Sequence, residues 1–309
     1  MLTKAKRLHL SVDTQLDLFQ KLVLPILTYG CEIWGYEDLN MIEIFNRKFL
    51  KGLLHVNKST PSCMVYGETG TREILVTVKQ KMISFWSRII LGNQNKLSYR
   101  LYKLIRIMHC NENNEFRSPW IEYVSETLNC TGLNNLWLNE GDGFSTSYII
   151  NAFKLKTSDA YSQNWHSTVE QNTQCNIYRM YKETCKLESY ITSLGFKDRV
   201  AMTRFRCRNH QLPITKRLNN ENDDTTCKLC QVGDTGDEFH YLLVCPYFNE
   251  TRKRYLGVGS YSNPNIFTIK VLLQTNNVVK MRNVARFMDT ITVEFQIGSY
   301  LLMLYSPIR

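Results

Sequence analysis

The run Leu75-Val76-Thr77-Val78-Lys79-Gln80-Lys81-Met82-Ile83-Ser84-Phe85-Trp86-Ser87-Arg88-Ile89-Ile90 spaces Leu75, Val78, Met82, Phe85, Trp86, Ile89 and Ile90 by steps of three and four. One buried helix face requires that period, whereas a half-buried strand would alternate. Upstream, Ile42, Phe45, Phe49, Leu50 and Leu53 repeat it over Met41–Leu54, and Leu97, Leu101, Leu104, Ile105 and Met108 continue it downstream. The segment Leu16–Ile33 carries Phe19, Leu22, Val23, Ile26 and Leu27. Pro25 removes a backbone donor there, which predicts a kink or a split.

Helical spacing resumes near Trp165–Glu188 and Tyr190–Asn209. It gives way to a loop from Leu212 to Thr226 and a compact cysteine-containing element, then returns near Ile266–Leu273 and Val278–Leu304. Asn111–Asn114 and Asn139–Ser147 are polar, so residues 111–160 read as a linker. The expectation is a mainly α protein: a helical region over 1–110, an irregular connector over 111–160, and a helical C-terminal region over 161–309 that contains a small metal-binding module at 221–256.

The 309 residues include 38 Lys+Arg against 28 Asp+Glu, a net charge of +10, and 43% are hydrophobic. Such a chain is too apolar to be disordered, and 15 Gly with 7 Pro argue against a turn-rich all-β protein. The basic excess points to a polyanionic partner. It lies at the two ends: residues 1–100 carry +6, 101–200 carry −1, and 201–309 carry +5. The start of the chain shows no basic-then-apolar signal, and no apolar run approaches the ~20 residues that span a bilayer. Seven of the ten cysteines are scattered singly. That pattern in a chain of this size predicts a reducing, intracellular setting, nuclear or cytoplasmic.

Cys227, Cys230, His240 and Cys245 fall within 19 residues. Three thiolates and an imidazole make a closed tetrahedral shell, so this spacing predicts a structural Zn²⁺ site, with no open position for a substrate. Cys227 and Cys230 fit a tight turn. The four residues between His240 and Cys245 suit a short helix that projects both from one end. Residues 221–250 carry seven acids against Lys228 alone, a net of −6. The flanks are the opposite: Arg204, Arg206, Arg208, Lys216 and Arg217 precede the module, and Arg252, Lys253 and Arg254 follow it. The expectation is that zinc clamps two basic elements which contact nucleic-acid backbone, the bland alternative for each being a solvated helix face.

No reactive constellation accompanies these features. The sequence has no Gly-rich phosphate loop, no G-x-S-x-G elbow and no H-E-x-x-H. Glu37-Asp38, Asp223-Asp224 and Asp237-Glu238 read as loop or helix-start charges. Cys31 sits in an apolar run with no basic neighbour and reads as a packing residue.

Two stretches resemble a known family. The segment Leu22 to Gly35, with Pro25, Tyr29-Gly30-Cys31-Glu32-Ile33-Trp34, resembles the part that follows the polymerase core in non-LTR (LINE-type) retrotransposon reverse transcriptases. Tyr66-Gly67-Glu68-Thr69-Gly70 and Ser84-Phe85-Trp86-Ser87-Arg88 follow in that family's order. Thr203 to Ile214, with Arg208-Asn209-His210 and Leu212-Pro213, then Cys227 to Cys245 and Cys245-Pro246-Tyr247 before Arg252, resembles the same proteins' C-terminal zinc-binding region.

The resemblance implies thumb-like helices over the first third that track a template–product duplex, and a C-terminal region that helps hold RNA or target DNA. Family members polymerise with palm carboxylates, including an aromatic-x-Asp-Asp turn, that hold two metal ions. That set is not found in this sequence. The expectation is therefore a non-enzymatic, nucleic-acid-binding C-terminal fragment of such an enzyme, from a truncated element copy or a fragmentary gene model. Trp34, Phe45 and Trp86 are then expected as apolar surface left exposed without a palm. A zinc-stabilised protein–protein interaction module is the alternative, and a polymerase subunit completed by another chain is a third reading.

Overall fold

A computed structural model of the chain describes residues 10–111, 115–210, 212–216, 224–230 and 232–304, with the side chains of 216 and 296–304 left out. It is mainly α, as the helical period requires, and among the described residues only two isolated β-bridges occur. The longer helices are α1 (Val12–Leu18), α2 (Asn40–Leu54), α3 (Ser62–Thr69), α4 (Ile74–Ile90), α5 (Leu97–Cys110) and α6 (Pro119–Cys130). They continue with α7 (Thr146–Gln171), α8 (Phe196–Arg206), α9 (Asn249–Tyr255), α10 (Ile266–Leu273) and α11 (Val278–Leu304). The chain divides into two compact units, one of residues 1–48 and 72–167, the other of 49–71 and 168–309. The expected division at 110 and 160 is not the one seen, because α2 and α7 each supply residues to both units.

In the first unit, α4 buries Val78, Met82, Trp86, Ile89 and Ile90. Tyr102 of α5, Ile121, Val124 and Leu128 of α6, Leu136 and Trp137, and Ile149 and Phe153 of α7 complete the same core. Trp86 is fully buried rather than exposed; its indole N–H donates to Tyr102 Oη at 3.2 Å, and its ring lies 5.9 Å from that of Trp137. Phe45 does remain exposed, and Trp34 is half-buried. Cys31 is buried, and burial raises its thiol pKa, as a packing residue requires.

The expected linker is a correction. Residues 111–160 supply α6, a short helix Asn134–Leu138 and the start of α7, and their apolar residues fill the core just described. Ser118 starts α6 by accepting the Ile121 N–H at 3.4 Å, and Pro119 occupies a first-turn position where its missing donor costs nothing. Pro25 splits its helix as expected. A π turn, Phe19–Val23, precedes the short helix Leu24–Leu27, and the Leu24 N–H reaches back to Phe19 O.

In the second unit, α8 packs on α11, which buries Met281, Val284, Ala285, Phe287, Met288, Ile291 and Phe295 at helical spacing. The expected helix Tyr190–Asn209 breaks into Ser189–Ser193 and α8, with Gly195 as the α8 N-cap. The expected Trp165–Glu188 helix stops at Gln171, where the Asn172 side chain accepts from Gln174 N–H at 2.9 Å and starts a 3₁₀ turn instead.

The centre of this unit is charged. Glu68, on the fully buried helix α3, accepts from Arg206 Nε and Nη2 of α8 at 2.9 and 3.0 Å. Arg206 also donates to Leu273 O at 2.6 Å, lies 3.2 Å from Glu188, and sits between the Tyr181 and Tyr190 rings. The Tyr190 hydroxyl donates to Glu68 at 2.6 Å, and Lys182 pairs with Glu188. Two cations and two carboxylates thus neutralise one another. An ionised pair survives such burial only when its remaining donors and acceptors are also satisfied.

Candidate metal centre

Two short backbone bonds build the first half of the cysteine element. Cys227 N–H donates to Asp234 O at 2.8 Å and Gly236 N–H to Thr225 O at 2.7 Å, flanking an isolated antiparallel bridge between Thr226 and Thr235. This closes the loop that presents Cys227 and Cys230. A Cβ at Gly236 would sit 2.9 Å from Tyr241 Oη and 3.0 Å from Pro213, so only glycine fits that approach.

The second half corrects the expected short α-helix in one respect. Asp237 Oδ1 accepts the His240 N–H at 2.8 Å, and residues His240–Val244 then form a π turn. Cys245 N–H donates to His240 O at 2.7 Å. In an α-helix, residues five apart point roughly 140° from one another. A π turn bonds i to i+5 and brings His240 and Cys245 to one side.

The result is a cluster compatible with a metal site. The donor atoms of Cys227, Cys230, His240 and Cys245 lie within 4.8 Å of one another. Cys227 and Cys245 sulfurs are 3.9 Å apart, and Cys230 Sγ is 3.5 Å from His240 Nε2. Burial, and then the neighbouring Cys227 sulfur, push the Cys245 thiol up to about 12. Burial also lowers the His240 pKa, which favours the neutral ring and a free lone pair. Burial opposes the Cys227 thiolate, but hydrogen bonding by Tyr241 and the Cys230 and Leu229 backbone holds that thiol below its usual value, so a cation would have the other thiols to compensate. The other ring nitrogen, Nδ1, makes no hydrogen bond among the described residues but lies 3.5 Å from Asp234 Oδ2, whose charge faces the ring.

Of the eight basic residues expected to contact nucleic acid, three are engaged inside the protein. Arg206 is buried in the Glu68 network. Arg252 is 1% exposed and donates to three backbone carbonyls, Leu242 O (2.8 Å), Tyr241 O (3.3 Å) and Cys245 O (3.1 Å), as well as to Asn249 Oδ1 (2.7 Å). It braces the turn from His240 to Cys245. Arg208 lies 3.1 Å from the buried Glu238 carboxylate, which also meets His210 Nε2 at 3.0 Å. Arg206 and Arg252 are buried and so cannot reach phosphate, which corrects the expectation for those two, while Arg208 is half-buried beside Glu238.

Arg204, Lys253 and Arg254 are exposed. Lys216 lies on the short helix Pro213–Lys216, and Arg217 falls outside the described residues. The Asp237-Glu238 pair, read as helix-start charge, divides in two. Asp237 does start the turn, whereas Glu238 is a buried partner that ties the metal module to the end of α8.

Asp234, Glu238 and Arg252 are the residues that spacing alone did not assign to the site. For Arg252 a signal exists, since Phe248, Arg252 and Leu256 share one helix face and all three are buried. No protein-family model matches the chain, and no curated protein or solved structure is detectably similar to it. No helix among the described residues is long and apolar enough to cross a membrane.

Proposed function

We propose that Cys227, Cys230, His240 and Cys245 bind one Zn²⁺ ion that holds the fold and performs no chemistry. Bond lengths of about 2.3 Å for Zn–S and about 2.0 Å for Zn–N imply tetrahedron edges of roughly 3.8 Å between sulfurs and roughly 3.5 Å between sulfur and nitrogen. The distances of 3.9 and 3.5 Å fit those edges. Four protein donors fill the shell, so no position remains for a catalytic water.

Around that ion, the reading we favour is a nucleic-acid-binding C-terminal fragment of a LINE-type reverse transcriptase, working in a reducing compartment. One observation carries it. Two family-like segments of the second unit, Tyr66–Gly70 and Thr203–Ile214, meet in one buried network, with Glu68 of the first bonded through both oxygens to Arg206 of the second, 138 residues away. Residues placed this way support a common fold for those two segments. Polymerisation needs palm carboxylates for two metal ions, so the reading assigns the residues of this sequence binding and no phosphoryl transfer.

Salt dependence tests the reading. Binding of the full chain to RNA should weaken steeply and linearly in log–log form as salt rises. A flat response would favour the protein-binding alternative, and dNTP incorporation in primer extension by this chain alone would overturn the non-enzymatic part.

A further inference from the structure

The start of α8 carries a surface that the metal module and the buried network leave unexplained. Phe196, the first residue of α8, is 60% exposed. Its ring meets His55 edge-on, with centroids 4.9 Å apart at 87°, and the Arg199 guanidinium lies 5.6 Å from its centroid. Arg204, exposed on the same helix, donates to His55 O at 3.0 Å and so ties the loop after α2 to this site. Asn57 N–H donates to Asn209 Oδ1 at 3.1 Å and holds the same loop from its other side.

The acids nearby are already paired, Asp289 with Lys197 at 3.0 Å. Among the described residues neither Arg199 nor Arg204 is ion-paired, and the acid between them and Phe196, Asp198, faces Arg286 at 3.8 Å. An exposed phenyl ring is costly in water and is not used by this unit's core. The Arg199 guanidinium beside it and the Arg204 guanidinium on the adjoining His55 loop attract anions, and guanidinium planes and phenyl rings both stack on bases.

We infer that Phe196, with Arg199 and Arg204, is a stacking platform for an unpaired base of single-stranded nucleic acid, the arginines meeting the flanking phosphates. A duplex would keep its base faces stacked on each other and offer none to Phe196. This inference rests on the nucleic-acid-binding reading and specifies its partner as single-stranded.

The test is fluorescence anisotropy of the full chain with three labelled probes of about 12 nucleotides: single-stranded RNA, single-stranded DNA of the same sequence, and that DNA annealed to its complement. Phe196→Ala should weaken binding to a single strand by about tenfold and leave the duplex unchanged, while Phe196→Trp should restore the native affinity. Restoration by tryptophan separates lost stacking from misfolding. Comparing the RNA and DNA arms tells which strand the platform prefers. Arg204→Ala should lower the salt slope on the single strand by about 0.7. Unchanged single-strand affinity in Phe196→Ala, or an equal loss on duplex, would overturn the platform while the broader reading stands. Absence of salt-dependent binding by the unsubstituted chain to every probe would overturn both.

Discussion

Replacing Arg206 by methionine probes the second unit most severely. The substitution keeps the bulk of the side chain but leaves the fully buried Glu68 carboxylate with the Tyr190 hydroxyl, at 2.6 Å, as its remaining hydrogen-bond donor. Leu273 O loses its 2.6 Å donor in the same step, and Glu188 its 3.2 Å ion pair. Removing one partner of such a buried pair costs about 3–5 kcal/mol, which corresponds to roughly two to four orders of magnitude in an opening equilibrium.

Amide hydrogen exchange over α3 and α8 reads that opening directly. Tryptophan fluorescence would not, since all five tryptophans, Trp34, Trp86, Trp120, Trp137 and Trp165, belong to the first unit. The pH dependence adds a second check. Burial pushes Glu68 up, but Arg206 beside it holds the carboxyl below its usual value. The pair therefore stabilises the native chain above pH of about 4.3, and that contribution is lost as pH falls through the lowered value. In Arg206→Met the burial is opposed only by Lys182 and the Tyr190 hydroxyl, and the Glu68 pKa rises. The penalty should then be largest near neutral pH and shrink on acidification. A loss below about 1 kcal/mol, or a penalty that grows as pH falls, would refute the charged-pair argument.

Three further outcomes follow from the geometry. Trp86→Ala should cost about 3–5 kcal/mol in urea unfolding of the first unit, read by the fluorescence of the other tryptophans, because its cavity is walled by Tyr102 and Trp137. Arg252→Ala should weaken metal affinity by about 10- to 100-fold in competition with a chromophoric chelator. Arg252→Lys should not restore it, since one ammonium cannot reproduce a fork that serves three carbonyls. Glu238→Gln should speed amide exchange over residues 205–210, where Arg208 and His210 lose a charged partner.

What could be read from the sequence was local. Helical spacing located α4, α10 and α11, because a buried face repeats within a few residues. The clustering of Cys227, Cys230, His240 and Cys245 was legible for the same reason, all four lying within 19 residues. The Glu68–Arg206 pair was not, since nothing near either residue announces a partner 138 positions away.

Arg206 was assigned by its charge, although it stands four residues after the buried Met202 on an inward face. Residues 111–160 were misread through their asparagines and glycines, which masked Ile121, Val124 and Leu128 at helical intervals. The π turn that joins His240 to Cys245 leaves no composition signal; only the five-residue separation of two ligands required it.

X-ray absorption at the zinc edge, together with metal analysis of the purified full chain, tests the metal-centre account most directly. One zinc per chain with three sulfur and one nitrogen neighbours is the expected result, and Cys230→Ser should lose that ion while the α4 core stays folded. A chain that folds with no bound metal, or a Cys230→Ser variant that retains a full equivalent of zinc, would contradict it.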